Sequence, residues 1–233
     1  MLKIDKCLMN NSKTVKSCDF TTDCPKRRQG KQCKYCYVEA SRNIGFNAKK
    51  IISSIPYNDD ILKMTQPTID KLNAIGGLRL FSFGDYIREE NHDKIYSMLT
   101  DCRTKGLKVK VITKVTEFID DFYTEFEDVF SVIHISIDNI GDGVEHGTAL
   151  AYRDKYDKVI LRSVILNNND LIALEPISDI LTFNHANVKI DGIETINYKL
   201  HPKMFNELKD KYANKTCCIT GSCSTCKIHC KAK

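Results

Sequence analysis

Leu107-Lys-Val-Lys-Val-Ile-Thr113, followed after an acidic and aromatic stretch by Val132-Ile-His-Ile-Ser-Ile137-Asp138, is the passage that decides the fold. Both runs are short and rich in β-branched residues, as strands are. The stretch between them, residues 117–130, reads as a helix. The unit repeats outward in both directions. Upstream lies Leu78-Arg-Leu-Phe-Ser-Phe83, ending at Gly84-Asp85, then a helix over residues 91–103 with Gly106 in the position helices favour for a stop. Downstream, residues 159–166 and 179–183 read as further strands. Strands separated by roughly 10–20 helical residues imply right-handed βαβ units around a parallel sheet. The expected class is therefore α/β.

In such folds the active site lies beyond the carboxyl ends of the strands, where the βα loops converge. The polar residues expected there are Ser82, Gly84 and Asp85; Thr113 and Lys114; Ser136 and Asp138; Arg162 and Ser163; Asn184 and His185. Each strand delivers a polar group to one rim. Asp85 and Asp138 also suit helix N-caps, where Asp is common after a strand, and both readings stand at this point.

Hydrophobic content of 42% and charged content of 28% describe an ordinary globular chain of 233 residues, long enough for one substantial core. No apolar run approaches the roughly 20 residues needed to cross a bilayer, so no membrane partner is expected. The start, Met-Leu-Lys-Ile-Asp-Lys, lacks the apolar stretch of a secretory signal. A cytoplasmic location is expected, where thiols stay reduced and cysteine clusters bind metal more often than they pair. Lys and Arg exceed Asp and Glu by 35 − 30 = 5. Several of these bases surround the cysteines, which suits an anionic substrate or a nucleic-acid backbone, or else offsets thiolate charge.

Ten of the eleven cysteines fall at the two ends of the chain. Only Cys102 stands apart, on the apolar stripe Ile95, Met98, Leu99, Cys102, which marks it as a small core residue. At the front, Cys33 and Cys36 have the two-residue spacing that lets one loop grip one metal, and Cys24 lies upstream with eight residues between it and Cys33. Three ligands leave one coordination position open. Cys18 competes with Cys24 for the outer place; Pro25 stiffens the loop beside Cys24 and favours it.

A triad ending in Cys33-Lys-Tyr35-Cys36, ahead of successive βα units, resembles the radical S-adenosylmethionine superfamily. The usual Cys-x3-Cys-x2-Cys spacing is kept in its second half, whereas the first gap has grown to eight. Together with Phe-Ser-Phe-Gly-Asp and a C-terminal cysteine cluster, the chain is similar to a small phage-associated branch of that superfamily. The resemblance implies a partial (β/α)6 TIM-like barrel over residues 1–200 and a helix with a cysteine-rich metal-binding tail over residues 201–233. It implies a [4Fe–4S] cluster on Cys24, Cys33 and Cys36, with S-adenosylmethionine on the fourth iron. An electron from a reductant such as flavodoxin or ferredoxin would cleave the sulfonium and give a 5′-deoxyadenosyl radical that takes hydrogen from a substrate. Gly84 and Asp85 sit where the family holds the methionine amino group, with Asp in place of the usual Glu. Ser136 and Asp138 are placed for the carboxylate or ribose hydroxyls, Arg162 and Ser163 for the carboxylate, and Tyr35 near the adenine.

The tail offers Cys217, Cys218, Cys223, Cys226 and Cys230 within fourteen residues. Its Cys-x2-Cys-x3-Cys ending resembles ferredoxin loops, which implies a second [4Fe–4S] centre on Cys218, Cys223, Cys226 and Cys230. Cys217 competes for the first place, and a structural zinc is the alternative occupant. The substrate class stays open, with a nucleotide or nucleic acid among the candidates. A different reading, a non-catalytic metal-stabilised nucleic-acid-binding protein, accounts for the basic residues but leaves the polar strand ends unexplained.

Overall fold

A computed structural model describes residues 8–10, 16–20, 61–81, 84–183, 195–198 and 200–215, together with Pro25 and Gln29. The described strands form one sheet. A short β1 (Leu8–Asn10) lies antiparallel on β2 (Lys16–Cys18). From β2 onward all six strands are parallel: β3 (Leu78–Leu80), β4 (Val109–Thr113), β5 (Phe130–Ile137), β6 (Val159–Ile165) and β7 (Ile180–Phe183) follow. Their order across the sheet is their order in the chain. Helices alternate with them: α1 (Gln66–Ala74) before β3, α2 (Arg88–Lys105), α3 (Glu117–Phe126), α4 (His146–Lys155) and α5 (Asn168–Leu174) in the crossovers, and α6 (Pro202–Lys211) after β7. The expected α/β class with a parallel sheet is what the structure has. Among the described residues no helix is long and apolar enough to cross a membrane.

Local chemistry sets the boundaries. The stripe Ile95, Met98, Leu99 and Cys102 is fully buried, as its spacing on α2 requires, and Cys102 is a core residue. Gly106 takes the left-handed conformation (φ 65°) past the end of α2, and the Leu107 N–H reaches back to the Cys102 carbonyl at 2.9 Å. Helix α3 stops at Phe126, four residues earlier than its composition suggests, because Phe130 already belongs to β5. Strand β3 ends at Leu80, not Phe83. Phe81 has φ 63°, a left-handed backbone that breaks the strand's alternation. Its ring joins the helix-side core and meets Phe118 edge-on at 5.5 Å.

The register divides the strands into two faces, since side chains alternate. Cys18, Leu80, Val111, Ile133, Ile135, Leu161 and Leu181 share one face and one apolar cluster. Every buried apolar residue of α1 to α5 belongs to that same cluster, and Met204, Phe205 and Leu208 of α6 pack against it. The described helices thus cover one face of the sheet. Strands that add always on the same side with right-handed crossovers have this consequence; a reversal of strand order would split the helices between faces. Helix α6 is joined to the last strand: Phe205 meets Phe183 at 6.1 Å, and the Leu181 N–H donates to the Lys215 carbonyl at 2.8 Å. The stretch beyond residue 200, as far as it is described, is therefore bonded to the sheet.

Candidate functional site

The carboxyl ends of β3 and β4 are tied by one carboxylate. Asp85 accepts from the Thr113 hydroxyl at 2.5 Å and the Tyr86 N–H at 2.8 Å through Oδ1, and from the Lys114 N–H at 2.8 Å through Oδ2. Burial pushes its carboxyl up to about 6, against the lowering pull of the Thr113 hydroxyl and the two backbone donors. Gly84 stands beside it, half-buried. Below the knot, Tyr86 donates to Asp121 at 2.5 Å, and Arg88 pairs with the same carboxylate. Asp85 therefore ties the β3–α2 loop to the end of β4 and is not a helix cap, since α2 starts after Ile87 with no side-chain cap.

Asp138 organises the loop after β5. Its Oδ1 accepts from the Ile140 N–H at 3.1 Å and the Asp142 N–H at 2.9 Å, while its carbonyl lies 2.9 Å from His146 Nε2. Its Oδ2 lies 3.9 Å from Lys114 Nζ, so β4 and β5 exchange a charge contact at the rim. The loop folds back until Val144 N donates to the Ser136 carbonyl at 3.0 Å. Gly143 is required there, since a Cβ would lie 2.7 Å from the Ser136 carbonyl oxygen and the Ile137 Cα.

Ser136 and Arg162 are register partners on adjacent strands and point to the same side, both buried. Ser163 does not join them. One residue along the strand, it faces the helices, and its hydroxyl is bonded to the Ser178 hydroxyl. Thr113 likewise turns to the helix side, into the Asp85 knot. Of the strand-end residues, Ser136 and Arg162 are neighbours on the face opposite the helices, and Lys114 meets Asp138 at the rim. Cys18 is fully buried in the helix-side core. Cys24, Cys33, Tyr35 and Cys36, Ser82, Asn184 and His185, and Cys217, Cys218, Cys223, Cys226 and Cys230 lie outside the described residues.

Lower on that opposite face lies a row of polar groups that strand-end reasoning missed. Ser17, Arg79 and Lys110 are partners in register across β2, β3 and β4, and His134 and Arg162 continue the same face on β5 and β6. The signal was present: Leu-Arg79-Leu, Val-Lys110-Val, Ile-His134-Ile and Leu-Arg162-Ser each set one basic residue between neighbours that turn the other way. Val132 and Ile160 fill the spaces between them and stand outside the helix-side cluster. The protein is thus an α/β protein with an apolar, helix-covered face and a polar face running up to the rim. Comparison with protein-family models and with curated proteins finds no match.

Proposed function

We propose that the protein is a radical S-adenosylmethionine enzyme built on a partial (β/α)6 barrel, open on one side. The observation that carries the reading is six parallel strands in sequential order, with all described helices on one face and polar residues on the other. A sheet wound this way curls, and its helix-free face becomes the lining of a barrel. The first parallel strand ends at Cys18, six residues before Cys24, so the triad follows directly from the carboxyl end of that strand. Active sites of such folds are built at that end.

The described residues fit S-adenosylmethionine in their donor chemistry. Arg162 supplies a guanidinium suited to a carboxylate, and Ser136 beside it supplies a hydroxyl for the same carboxylate or a ribose oxygen. Asp138 and Asp85 hold the loops after β5 and β3 in shape, while the apolar helix side excludes water from beneath. Cys24, Cys33 and Cys36 would hold the cluster, and Cys218, Cys223, Cys226 and Cys230 a second centre, iron–sulfur or zinc. When bound, the cluster and its cofactor supply one-electron cleavage of the sulfonium and a 5′-deoxyadenosyl radical that takes a hydrogen atom from the substrate.

The test is anaerobic reconstitution with iron and sulfide, then reductant and S-adenosylmethionine. 5′-Deoxyadenosine should form and should vanish in Cys24→Ala, Cys33→Ala and Cys36→Ala. A fully loaded protein that forms none, or one that holds only zinc and binds nucleic acid, overturns the reading.

A further inference from the structure

We propose that the polar face holds an oxyanion, a phosphate or carboxylate group of the substrate, gripped by Arg79 with Lys110 adding positive potential. The inference rests on the reading of that face as the lining of a substrate chamber.

Arg79 is half-buried in the middle of β3 and offers five N–H donors. Among the described residues it makes one hydrogen bond, a long one from Nη2 to the Phe81 carbonyl at 3.5 Å. Its Nε is buried with no partner. Lys110, its register partner on β4, is 5% exposed, and its ammonium donates to the Ile75 carbonyl at 3.0 Å. No described carboxylate forms an ion pair with either. Two cations side by side on one sheet face repel each other, and a buried charge without a counter-charge is strongly unfavourable.

Phe81 makes room above Arg79. A regular strand would set the side chain of residue 81 on the polar face over Arg79, but the left-handed backbone sends the ring to the helices. Strained backbone of this kind persists where the surroundings require it. Among the described residues, the other charged and titratable groups on this face are Asp19, buried and two residues beyond Ser17, together with His134, Arg162, Lys114 and Asp138. These described groups comprise four cations, Arg79, Lys110, Arg162 and Lys114, against two carboxylates. The planar fork of Arg79 matches a two-oxygen edge of phosphate or carboxylate.

The experiment uses the full chain and inorganic phosphate at constant ionic strength, with chloride as the reference. Phosphate should raise Tm where chloride does not, and isothermal titration should show saturable binding. Arg79→Gln should weaken that binding about 10-fold or more, and Arg79→Lys by less, because a charge without the fork remains. In phosphate-free buffer Arg79→Gln should be no less stable than wild type, with Tm raised by about 2–4 °C for each kcal/mol of relieved charge burial. Lys71→Gln, on the exposed side of α1, should leave phosphate binding as it is. Titrations with acetate, a nucleoside and its 5′-monophosphate then separate carboxylate from phosphate as the preferred group.

No specific stabilisation by either oxyanion overturns the proposal. So does an Arg79→Gln protein that binds as wild type does, or one destabilised in phosphate-free buffer. Competitive displacement of phosphate by S-adenosylmethionine would put Arg79 in the cofactor's site and also overturn it. Phosphate binding without 5′-deoxyadenosine formation would sink the enzymatic reading and leave this site standing. 5′-Deoxyadenosine formation without oxyanion binding would do the reverse.

Discussion

The two faces of the central strands are made of the same backbone and obey different rules. On the helix side, Leu80, Val111, Ile133, Ile135 and Leu161 are buried in one cluster with Phe118, Phe122 and Phe126; the Phe118 ring is tilted against Phe122 and meets Phe130 edge-on. On the other side, alternate residues of the same strands include Arg79, Lys110, His134, Ser136 and Arg162, interspersed with Ile112, Val132 and Ile160. The first face gains stability from removing apolar surface from water, at roughly 25 cal/mol per Å². The second forgoes that gain in five positions. Burying polar groups where Leu or Val would fit is unfavourable unless something binds them. Under the proposed function, the difference separates the face that folds the chain from the face that binds.

Substitutions that affect one face and not the other sharpen this contrast. The largest expected effect is on the helix side, where Phe122→Ala should lower unfolding free energy by about 3–5 kcal/mol by leaving a cavity under α3. Denaturant titration measures it, and a loss under 1 kcal/mol would mean the aromatic cluster is not the core.

Next is Asp85, whose carboxyl is raised to about 6 from near 3.8. Between those values the folded chain keeps a proton that the unfolded chain has lost. Stability from this group is full below the unfolded value, falls as pH rises toward 6, and is level above it. The fall amounts to about 2–3 kcal/mol at 1.36 kcal/mol per pH unit. Asp85→Asn removes it, so Tm of the variant minus that of wild type should rise between pH 4 and 6. A difference independent of pH would show that Asp85 is ionised throughout.

Gly143→Ala sets a Cβ against the backbone of β5 at 2.7 Å and should cost about 1–3 kcal/mol as the loop after β5 shifts. Thermal unfolding reads the loss, and an unchanged Tm would mean the loop yields freely. The smallest effect belongs to the polar face: Ser136→Ala should weaken S-adenosylmethionine binding by about 10-fold or less, the worth of one hydrogen bond. Equilibrium binding reads it, and an unaltered affinity would take Ser136 out of the site.

Much of the architecture was legible in the sequence because apolar runs and helix stops are local signals. Gly106 ends α2 where its chemistry says it should, and Cys102 is a core residue as its stripe implies. The misses have physical causes. The run 78–83 looks like one strand, but a left-handed Phe81 cuts it, and no local rule places a Phe there. Arg162 and Ser163 are adjacent in sequence and so face opposite sides, a consequence of alternation that reading strand ends as a group overlooks. Arg79 and Lys110 sit in mid-strand, where attention to the rim passes them by, although single bases between apolar neighbours mark an interior polar face. The three-residue β1 and β2 are too short to show an alternation, and β2 joins the sheet through β3, some sixty residues away.

The most direct test of the central claim is the electron paramagnetic resonance spectrum of the reconstituted, reduced protein before and after one equivalent of S-adenosylmethionine. The account predicts a [4Fe–4S] signal whose g-values shift on addition, because the cofactor joins an iron that lacks a protein thiolate. A cluster signal unmoved by the cofactor, in protein where Cys24, Cys33 and Cys36 are intact, would contradict it.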